Sequence, residues 1–397
     1  MKKISILLLF FISLSTFAQN QAANWFFGYG AALQFDLGAN TLTSIDGGAL
    51  STNEGCASIS DVFGDLLFYT DGTTVWNKLG NPMSNGTDLF GDSSSTQSAI
   101  IVPKPNDPFI YYIFTVDNLL DGVNYGLNYS IVDMNRLGGL GLVTTKNVNL
   151  LSSCSVKISA VLKDCVTKSI WVITFAAQSG TGTNYNAFKA YEVSENGINS
   201  TPVVSSFNGI ATQEARGYLK LSPNGEKLAI ANMGSGLFLF DFDVATGIVS
   251  NQQNLNINTT SPRAYGIEFS PNSQLLYVHS SNDQQSGSPS AHNSTLSQFD
   301  LNAPNISASR VTLDQQQLYR GGLQLGPDGK IYRALSATYE IGLPFLGVIN
   351  NPNAVGLDCD YVHNAVALSP NLSSQGLPPF IQSIFNTQID IIRNDVN

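Results

Sequence analysis

The chain has 397 residues, and its composition excludes several classes of protein. Only 12% of the residues are charged, with 19 Lys and Arg against 29 Asp and Glu, so the formal net charge is −10. Binding to nucleic acid or to anionic lipid requires clustered Lys and Arg, and such an acidic chain does not supply them. Disorder is excluded as well, because 43% of the residues are hydrophobic. We therefore expect a folded protein that binds no nucleic acid.

The first 18 residues have the pattern of a secretory signal peptide. Lys2 and Lys3 form a positive start, residues 4–12 are a short apolar run, and small residues precede a cleavage position between Ala18 and Gln19. The apolar run is shorter than the about 20 residues of a membrane-spanning helix, and no later segment is long enough. We predict an exported protein, secreted or displayed on the cell surface, without membrane insertion. Removal of the two lysines would change its formal charge from −10 to −12.

From residue 19 onward the chain repeats a strand–turn–strand unit. In the clearest copies, which begin at residues 219, 267 and 323, an alternating strand is followed by a Pro-Asn or Pro-Asp turn and by a second apolar strand. Six copies align at Ile59, Val102, Leu162, Leu221, Phe269 and Leu325, with steps of 43, 60, 59, 48 and 56 residues. A period of about 40 to 60 residues is typical of a β-propeller blade with four strands.

The two ends of the chain predict a seventh blade. Residues 366–368 read as a seventh innermost strand, while residues 25–27 and 33–35 read as strands without an inner partner before them. Joining both ends would remove two open sheet edges. We predict an all-β, seven-bladed β-propeller over residues 19–386, closed by pairing of N- and C-terminal strands in one blade. Residues 387–397 are expected to be a C-terminal tail or the start of a linker to a further domain.

Four motifs together resemble one protein family. They are NEGCA (53–57), YTDG with VWN (69–77), STQSAIIVP (95–103) and GLPPFIQ (376–382). They are similar to the N-terminal propeller of large Bacteroidota surface proteins of the gliding-motility-associated type. In that family the propeller precedes immunoglobulin-like PKD repeats and a C-terminal type IX secretion sorting domain, neither of which follows in this sequence. The resemblance implies surface display, adhesion or glycan contact and the secretion machinery as a partner, and it brings no catalytic residues.

The repeat alignment also places a polar or charged residue near the start of each innermost strand. These residues are Glu54, Gln97, Lys157, Arg216, Arg263, Arg320 and His363. This end of a propeller's central channel is where ligands commonly bind, and five of the seven residues are Lys, Arg or His. The pattern predicts a cationic ring for an anionic glycan or peptide, with Tyr218 and Tyr265 as stacking faces. The alternative is that each charge pairs with a neighbouring acid, such as Glu214 or Glu268, and only solvates the channel.

The cysteines of an exported chain can form disulfides. Cys154 and Cys165 have ten residues between them, across a turn between adjacent strands, and we predict a disulfide there. The states of Cys56 and Cys359 stay open. The three His are scattered and no Cys-x-x-Cys occurs, so we expect no zinc site and no cofactor.

Two further patterns have two interpretations each. The acid pairs at residues 241 and 243 and at residues 358 and 360 could hold calcium, but such pairs are more often the solvated face of an edge strand. The tryptophans could be sugar platforms, but two of them lie within repeat strands and are better explained by packing between blades. The three tryptophans are Trp25, Trp76 and Trp171.

The sequence predicts a function only in outline. No nucleophile motif on a strand-to-helix turn is present, and the convergence of carboxylates cannot be judged from sequence. We expect a monomeric, non-enzymatic binding or adhesion module that contacts a surface glycan or a protein ligand. One alternative is a propeller enzyme that acts on extracellular polysaccharide, and another is a structural spacer without a ligand.

Overall fold

The structure is a computed structural model that describes residues 19–117, 124–257 and 259–386. The predicted signal peptide (1–18) and C-terminal tail (387–397) lie outside the described residues. Within these ranges no helix is long and apolar enough to cross a membrane. The helices of the described chain are short 3-10 turns at Gln19–Ala22, Leu137–Gly139, Pro289–Ala291, Ser307–Ser309, Gly356–Cys359 and Gln382–Asn386.

The described strands form seven antiparallel sheets that follow one another along the chain, so the prediction of an all-β, seven-bladed β-propeller is confirmed. Blades 1 to 3 contain β1 (Asn24–Phe27), β2 (Ala31–Asp36) and β3 (Thr41–Ile45), then β4 (Ala57–Ser60), β5 (Leu66–Thr70) and β6 (Val75–Asn77), then β7 (Ala99–Pro103), β8 (Ile110–Val116), β9 (Leu127–Asp133) and β10 (Leu142–Leu151).

Blades 4 to 7 contain four or five strands each. They are β11 (Ile158–Leu162), β12 (Ile170–Ala176), β13 (Ala187–Ser194), β14 (Gly197–Ile198) and β15 (Val203–Ser206), then β16 (Leu219–Leu221), β17 (Lys227–Asn232), β18 (Gly236–Asp243) and β19 (Ile248–Leu255), then β20 (Arg263–Phe269), β21 (Leu275–Ser281), β22 (Ser294–Asp300) and β23 (Val311–Gln316), then β24 (Leu323–Leu325), β25 (Ile331–Ser336), β26 (Gly342–Ile349) and β27 (Tyr361–Ala367). In blades 2 to 7 the first strand is innermost and the last is outermost.

The repeated turn motif joins the innermost strand of a blade to the second strand. In blade 5 the Ser222 hydroxyl accepts a hydrogen bond from the Lys227 backbone N–H (2.9 Å), and in blade 6 Ser270 does the same for Leu275 (2.9 Å). The turn requires a left-handed residue, which is Gly225 in blade 5 (φ 75°). In blades 5 and 6 the sequence repeat therefore marks a local hydrogen-bonding unit that ends the innermost strand.

The hydrophobic core lies between neighbouring blades. Trp171 of blade 4 is 4% exposed, and its indole N–H donates to the Val244 carbonyl oxygen of blade 5 (2.7 Å). In the same interface the rings of Phe188 and Phe240 lie 5.0 Å apart. Trp25 is fully buried, and Trp76 stacks on Tyr69 of its own blade. The tryptophans therefore pack in and between blades, as the second interpretation of the sequence proposed, and Trp25 and Trp171 offer no exposed platform.

The two ends of the described chain meet in blade 1, which confirms closure by both termini. The Tyr29 backbone N–H donates to the Leu372 carbonyl oxygen (2.9 Å), and the two residues form an antiparallel bridge. Residues 372–386, called the closing segment below, then occupy the innermost position of blade 1. Phe380 of this segment stacks on Trp25 of β1, with ring centroids 5.8 Å apart.

The predicted seventh innermost strand is placed differently in the structure. Residues 361–367 form β27, the outermost strand of blade 7, paired with β26. The sequence of residues 366–370 resembles the repeat motif, but the chain turns there into the closing segment. The innermost position of blade 1 thus has no copy of the motif.

The closing segment also fills the far end of the central channel. Gln382 donates through Nε2 to Glu268 Oε2 (2.6 Å), which in turn binds Lys220 Nζ (2.9 Å). The Ser383 hydroxyl accepts a hydrogen bond from the backbone N–H of Leu162, the last residue of β11 (2.8 Å). Among the described residues, the closing segment therefore fills the channel at the end where the innermost strands finish. The end where these strands start, called the mouth below, holds a solvent-accessible pocket.

Candidate functional site

A cavity of about 710 Å³, called the mouth pocket below, lies at the start of the innermost strands. Glu54, Arg216 and Arg320 reach it from the segments that precede β4, β16 and β24. The loops between β21 and β22 and between β25 and β26 form other parts of its wall. Its full lining is Glu54, Ser94, Gln213, Glu214, Ala215, Arg216, Gln284, Gln285, Ser286, Gly287, Tyr319, Arg320, Thr338, Tyr339 and Glu340.

Five charged side chains at this pocket alternate in sign. Arg216 contacts Glu214 (2.6 Å) and Asp283 (3.4 Å), and Arg320 contacts Asp283 (2.7 Å) and Glu54 (3.4 Å). The structure therefore does not show the ring of unpaired cations that the sequence predicted, because both arginines already hold two carboxylates each. The alternative interpretation, in which each charge pairs with a neighbouring acid, describes these two arginines.

Glu54 is a buried acid at the floor of the mouth pocket. Its side chain is 1% exposed, and its carboxylate accepts a hydrogen bond from the Thr96 hydroxyl (3.0 Å). Burial raises the pKa of Glu54 above the usual range of a glutamate, although the Arg320 guanidinium opposes the shift. Glu54 can therefore keep a proton at a pH where an exposed glutamate has lost it, and so act as a proton donor.

Glu214 has the opposite electrostatic environment. Burial would raise its pKa, but hydrogen bonds from Arg216 Nε (2.7 Å) and Nη2 (2.6 Å) outweigh this and lower the pKa to about 2. One pocket thus holds a carboxyl group that retains its proton and another that is always ionised near neutral pH. Pairs of carboxyl groups whose pKa values are pushed apart are typical of sites for general acid–base chemistry.

Arg216 lines the pocket and keeps one side-chain donor that no hydrogen bond to the described residues uses. Its side-chain hydrogen bonds to described residues use Nε and Nη2, and its side chain is 27% exposed. Nη1 is therefore available to a bound molecule. Arg320, in contrast, is 2% exposed and lies over the ring of Tyr319 (4.6 Å to the centroid).

Lys157 and Gln97 lie at the predicted register but are buried and structural. Lys157 is fully buried and donates to the Ala215 carbonyl oxygen, which fixes the turn that carries Glu214 and Arg216. Burial lowers the pKa of Lys157 to about 7. Gln97 bonds the backbone of Leu219 on another blade through both its amide N (3.2 Å) and its amide O (2.8 Å).

The other predicted members do not line the pocket. Tyr218 and Tyr265 are 1% and 0% exposed and pack edge to face (5.5 Å), so the prediction that they offer stacking faces is wrong. Arg263 donates to the Met233 carbonyl oxygen (2.9 Å). His363 lies on β27, the outermost strand of blade 7, with Nδ1 3.3 Å from the Tyr361 hydroxyl. Its assignment to the mouth is wrong, because residues 366–368 are not an innermost strand.

Several residues in or next to the pocket were not predicted from the sequence. Asp283 holds both arginines, the Tyr339 hydroxyl lies 2.7 Å from the Ser94 hydroxyl, and Glu340 is exposed at the pocket wall. Asp283, Tyr339 and Glu340 come from loops between the second and third strands of blades 6 and 7. These loops do not follow the sequence repeat. Their place between the second and third strands of a blade is what indicates that they emerge at the same end of the propeller as Glu54.

The predicted disulfide between Cys154 and Cys165 is wrong. Cys154 is a buried free thiol that precedes β11, whereas Cys165 is exposed in the turn that follows β11. The five strand residues between these two positions span roughly 16 Å at about 3.3 Å per residue, too far for a disulfide. Among the residues that the structure describes, no group of three or more His, Cys, Asp or Glu side chains could hold a metal ion.

Comparisons with known proteins find similar structures but no similar sequences. No family model and no curated protein matches the chain. A putative 6-phosphogluconolactonase from Bacteroides uniformis matches with a TM-score of 0.49 and 12% identity, over 87% of this chain and 98% of that one. The periplasmic gluconolactonase of Pseudomonas aeruginosa has a TM-score of 0.40 and 10% identity, over 82% and 78%. The Dos1 propeller has a TM-score of 0.46 and 13% identity, over 87% and 82%.

At these identities the likeness shows the fold alone. Two of these similar structures bear gluconolactonase names, which corrects the expectation of a non-enzymatic binding module but assigns no activity to this chain. The mouth pocket does not contain the unpaired cationic ring that was expected for an anionic ligand, since Arg216 and Arg320 are each paired with two carboxylates.

Proposed function

We propose that the chain is a hydrolase that opens an ester or lactone bond of a carbohydrate in the mouth pocket. The observation that carries the proposal is Glu54, a fully buried carboxyl group with a raised pKa at the floor of a pocket that also contains guanidinium donors. A protonated acid next to fixed positive donors suits a reaction in which a carbonyl oxygen gains negative charge while a leaving oxygen gains a proton.

Acyl chemistry fits the pocket better than cleavage of a glycosidic bond. A glycosidase requires a second carboxylate as nucleophile or base. The ionised partner here, Glu214, is held by two hydrogen bonds from Arg216, and its pKa of about 2 makes it a weak base. The donor that remains, Arg216 Nη1, is suited to polarise a carbonyl group.

In the proposed reaction water attacks the carbonyl carbon and the carbonyl oxygen becomes negative beside Arg216. The bond between the carbonyl carbon and the alkoxy oxygen then breaks, and the leaving oxygen takes the proton of Glu54. The attacking water loses one proton to solvent, and Glu54 regains its proton from solvent. The products are an alcohol, or the hydroxyl end of an opened lactone, and a carboxylate with one released proton.

The pocket is blind, which limits the size of the substrate. Gly376 of the closing segment packs directly against the Glu54 backbone, so closely that a side chain at this position would collide with the Glu54 carbonyl oxygen. Behind Glu54 the channel is filled down to Gln382. We propose that a small sugar derivative, or the end of a longer glycan, enters from the mouth.

The place of action is a further part of the proposal. Residues 1–18 support export, and the motifs that resemble gliding-motility-associated propellers support secretion or display on a bacterial cell surface. A hydrolase of carbohydrate esters or lactones in this location would act on material outside the cell.

The test is proton release measured by pH-stat with the purified chain. Substrates are aldono-lactones and acetylated sugars, and aryl glycosides serve as the contrasting class. We expect lactones or esters to be hydrolysed, and we expect Glu54→Gln to lose at least 100-fold in kcat while the melting temperature changes little. Glu195→Gln, in an exposed hairpin turn, is the matched control and should keep full activity. Equal rates for Glu54→Gln and the parent, or no hydrolysis of any ester or lactone, would refute the proposal.

A further inference from the structure

The charges around the mouth pocket leave a surplus of acid. With Glu54 protonated, three carboxylates, those of Glu214, Asp283 and Glu340, face the two guanidinium groups of Arg216 and Arg320. The buried Lys157 beside Glu214 has a pKa of about 7 and adds only part of a positive charge. Each guanidinium is already paired twice. Except at Arg216 Nη1, a carboxylate or phosphate on a substrate would therefore have to compete with carboxylates that the fold holds in place.

Glu340 is the acid of this set without a cationic partner. It is exposed at the pocket wall, and no ion pair of the described residues includes it. Its backbone N–H donates to the Thr338 hydroxyl (3.2 Å), which fixes the position of the turn. Its negative charge is therefore not neutralised by the protein and acts on whatever enters the pocket.

The rest of the wall is rich in neutral hydrogen-bonding groups. Ser94 and Tyr339 offer hydroxyls, and Gln213, Gln284 and Gln285 offer amides, each of which can donate and accept. Such groups suit the hydroxyls of an uncharged sugar ring. They supply no positive charge for an acidic or phosphorylated sugar.

We infer that the mouth pocket accepts only uncharged sugar lactones or esters, and that Glu340 sets this selectivity by repelling carboxylates and phosphates. The inference rests on the proposed function and adds a consequence for turnover. The substrate enters neutral, and hydrolysis turns it into an anion inside a pocket with surplus negative charge. The same repulsion that excludes anionic substrates then speeds release of the carboxylate product.

The test is a binding experiment that does not depend on catalysis. Isothermal titration calorimetry with the Glu54→Gln variant compares glucitol, gluconate and 6-phosphogluconate, which share one carbon chain and carry zero, one and about three negative charges. We expect affinity to fall in that order. Replacing Glu340 by Gln in the same background should improve gluconate binding about tenfold relative to glucitol. The control Glu195→Gln, with the same change in net charge, should leave the ratio unchanged.

The repulsion between Glu340 and an anionic ligand should also weaken with salt. At 0.5 M NaCl, where screening acts over about 4 Å, the preference for glucitol over gluconate should shrink in Glu54→Gln. In the double variant with Glu340→Gln this preference should stay small at either salt concentration. Tighter binding of gluconate than of glucitol, or a ratio that Glu340→Gln does not change, would overturn the inference. These results say nothing for or against hydrolysis by Glu54, so the two proposals can fail separately.

Discussion

Arg320 Nη1 lies 3.4 Å from Glu54 Oε1, although 266 residues separate them in the chain. Glu54 precedes blade 2 and Arg320 precedes blade 7, and blade 1 lies between them. The contact therefore spans the blade that the closing segment completes. Both side chains are almost fully buried, so the pair connects closure of the fold to the protonation of the proposed acid.

Replacing Arg320 by Met should shift the pH dependence of activity. Burial raises the pKa of Glu54 and Arg320 lowers it, so loss of the guanidinium should raise the pKa further. Activity that requires protonated Glu54 is lost as pH rises through this pKa, and the alkaline limb of the pH–rate profile should move to higher pH. Arg136→Met, at an exposed turn, is the control and should leave the limb in place. An alkaline limb that moves to lower pH in Arg320→Met would contradict the assignment of Glu54 as the acid.

Replacing Arg216 by Met should change stability in acid. The pKa of Glu214 is lowered to about 2 in the folded protein, below its value of about 4.3 in an unfolded chain. Its contribution to the free energy of unfolding is thus present above about pH 4.3 and is lost as pH falls towards 2. The stability difference between parent and Arg216→Met should therefore be largest near pH 7 and shrink below pH 4 in urea unfolding. The stability difference between Glu214→Gln and the double variant that also carries Arg216→Met should not depend on pH. A pH-dependent difference between these two variants would point to a titrating group other than Glu214.

The architecture could be predicted because the repeated turn is a local unit. Ser222 and Ser270 close the same turn at the same position of successive blades. Because the turn is stabilised by neighbouring residues of the chain, its motif can be recognised in the sequence without knowledge of tertiary contacts. The site depends instead on loops that share no repeat, such as those with Asp283 and Glu340. His363 was misplaced because the residues that follow it resemble the repeat motif but belong to the outermost strand of blade 7. The innermost position of blade 1 is occupied by the closing segment, which has no copy of the motif.

Replacing Lys157 by Met should remove a pH-dependent part of stability on the alkaline side. The pKa of Lys157 is about 7 in the folded protein and about 10.4 when unfolded, so the unfolded chain binds more protons between these values. The free energy of unfolding should therefore rise with pH in this window. The difference between parent and Lys157→Met should grow by about 2 kcal/mol from pH 7 to pH 9. Lys78→Met, at an exposed position, should show no such growth, and a flat difference for Lys157→Met would mean that the lysine stays charged.

The stability of the protein should not depend on a bond between Cys154 and Cys165. The two thiols lie at opposite ends of β11, and burial raises the pKa of Cys154 to about 12, which keeps it as an unreactive thiol. The melting temperature should be the same with and without reductant. Mass spectrometry of the non-reduced protein should find no peptide pair that joins these cysteines, and finding one would place β11 differently.

Replacing Phe380 by Ala should destabilise the whole propeller. Phe380 is 9% exposed, stacks on Trp25 and belongs to the core between blades 1 and 7. Truncating a buried Phe to Ala typically costs about 3–5 kcal/mol, and here the loss falls on the segment that joins the two ends. Urea unfolding should show this loss, while Phe63→Ala, whose ring is 76% exposed in a turn, should change stability by less than about 0.5 kcal/mol. Because Gly376 of the same segment packs against Glu54, Phe380→Ala should also reduce kcat under conditions where the protein is still folded. A variant with normal stability would show that the hydrogen bonds of the closing segment, such as those of Leu372, Gln382 and Ser383, hold the ends of the chain without the Phe380 ring.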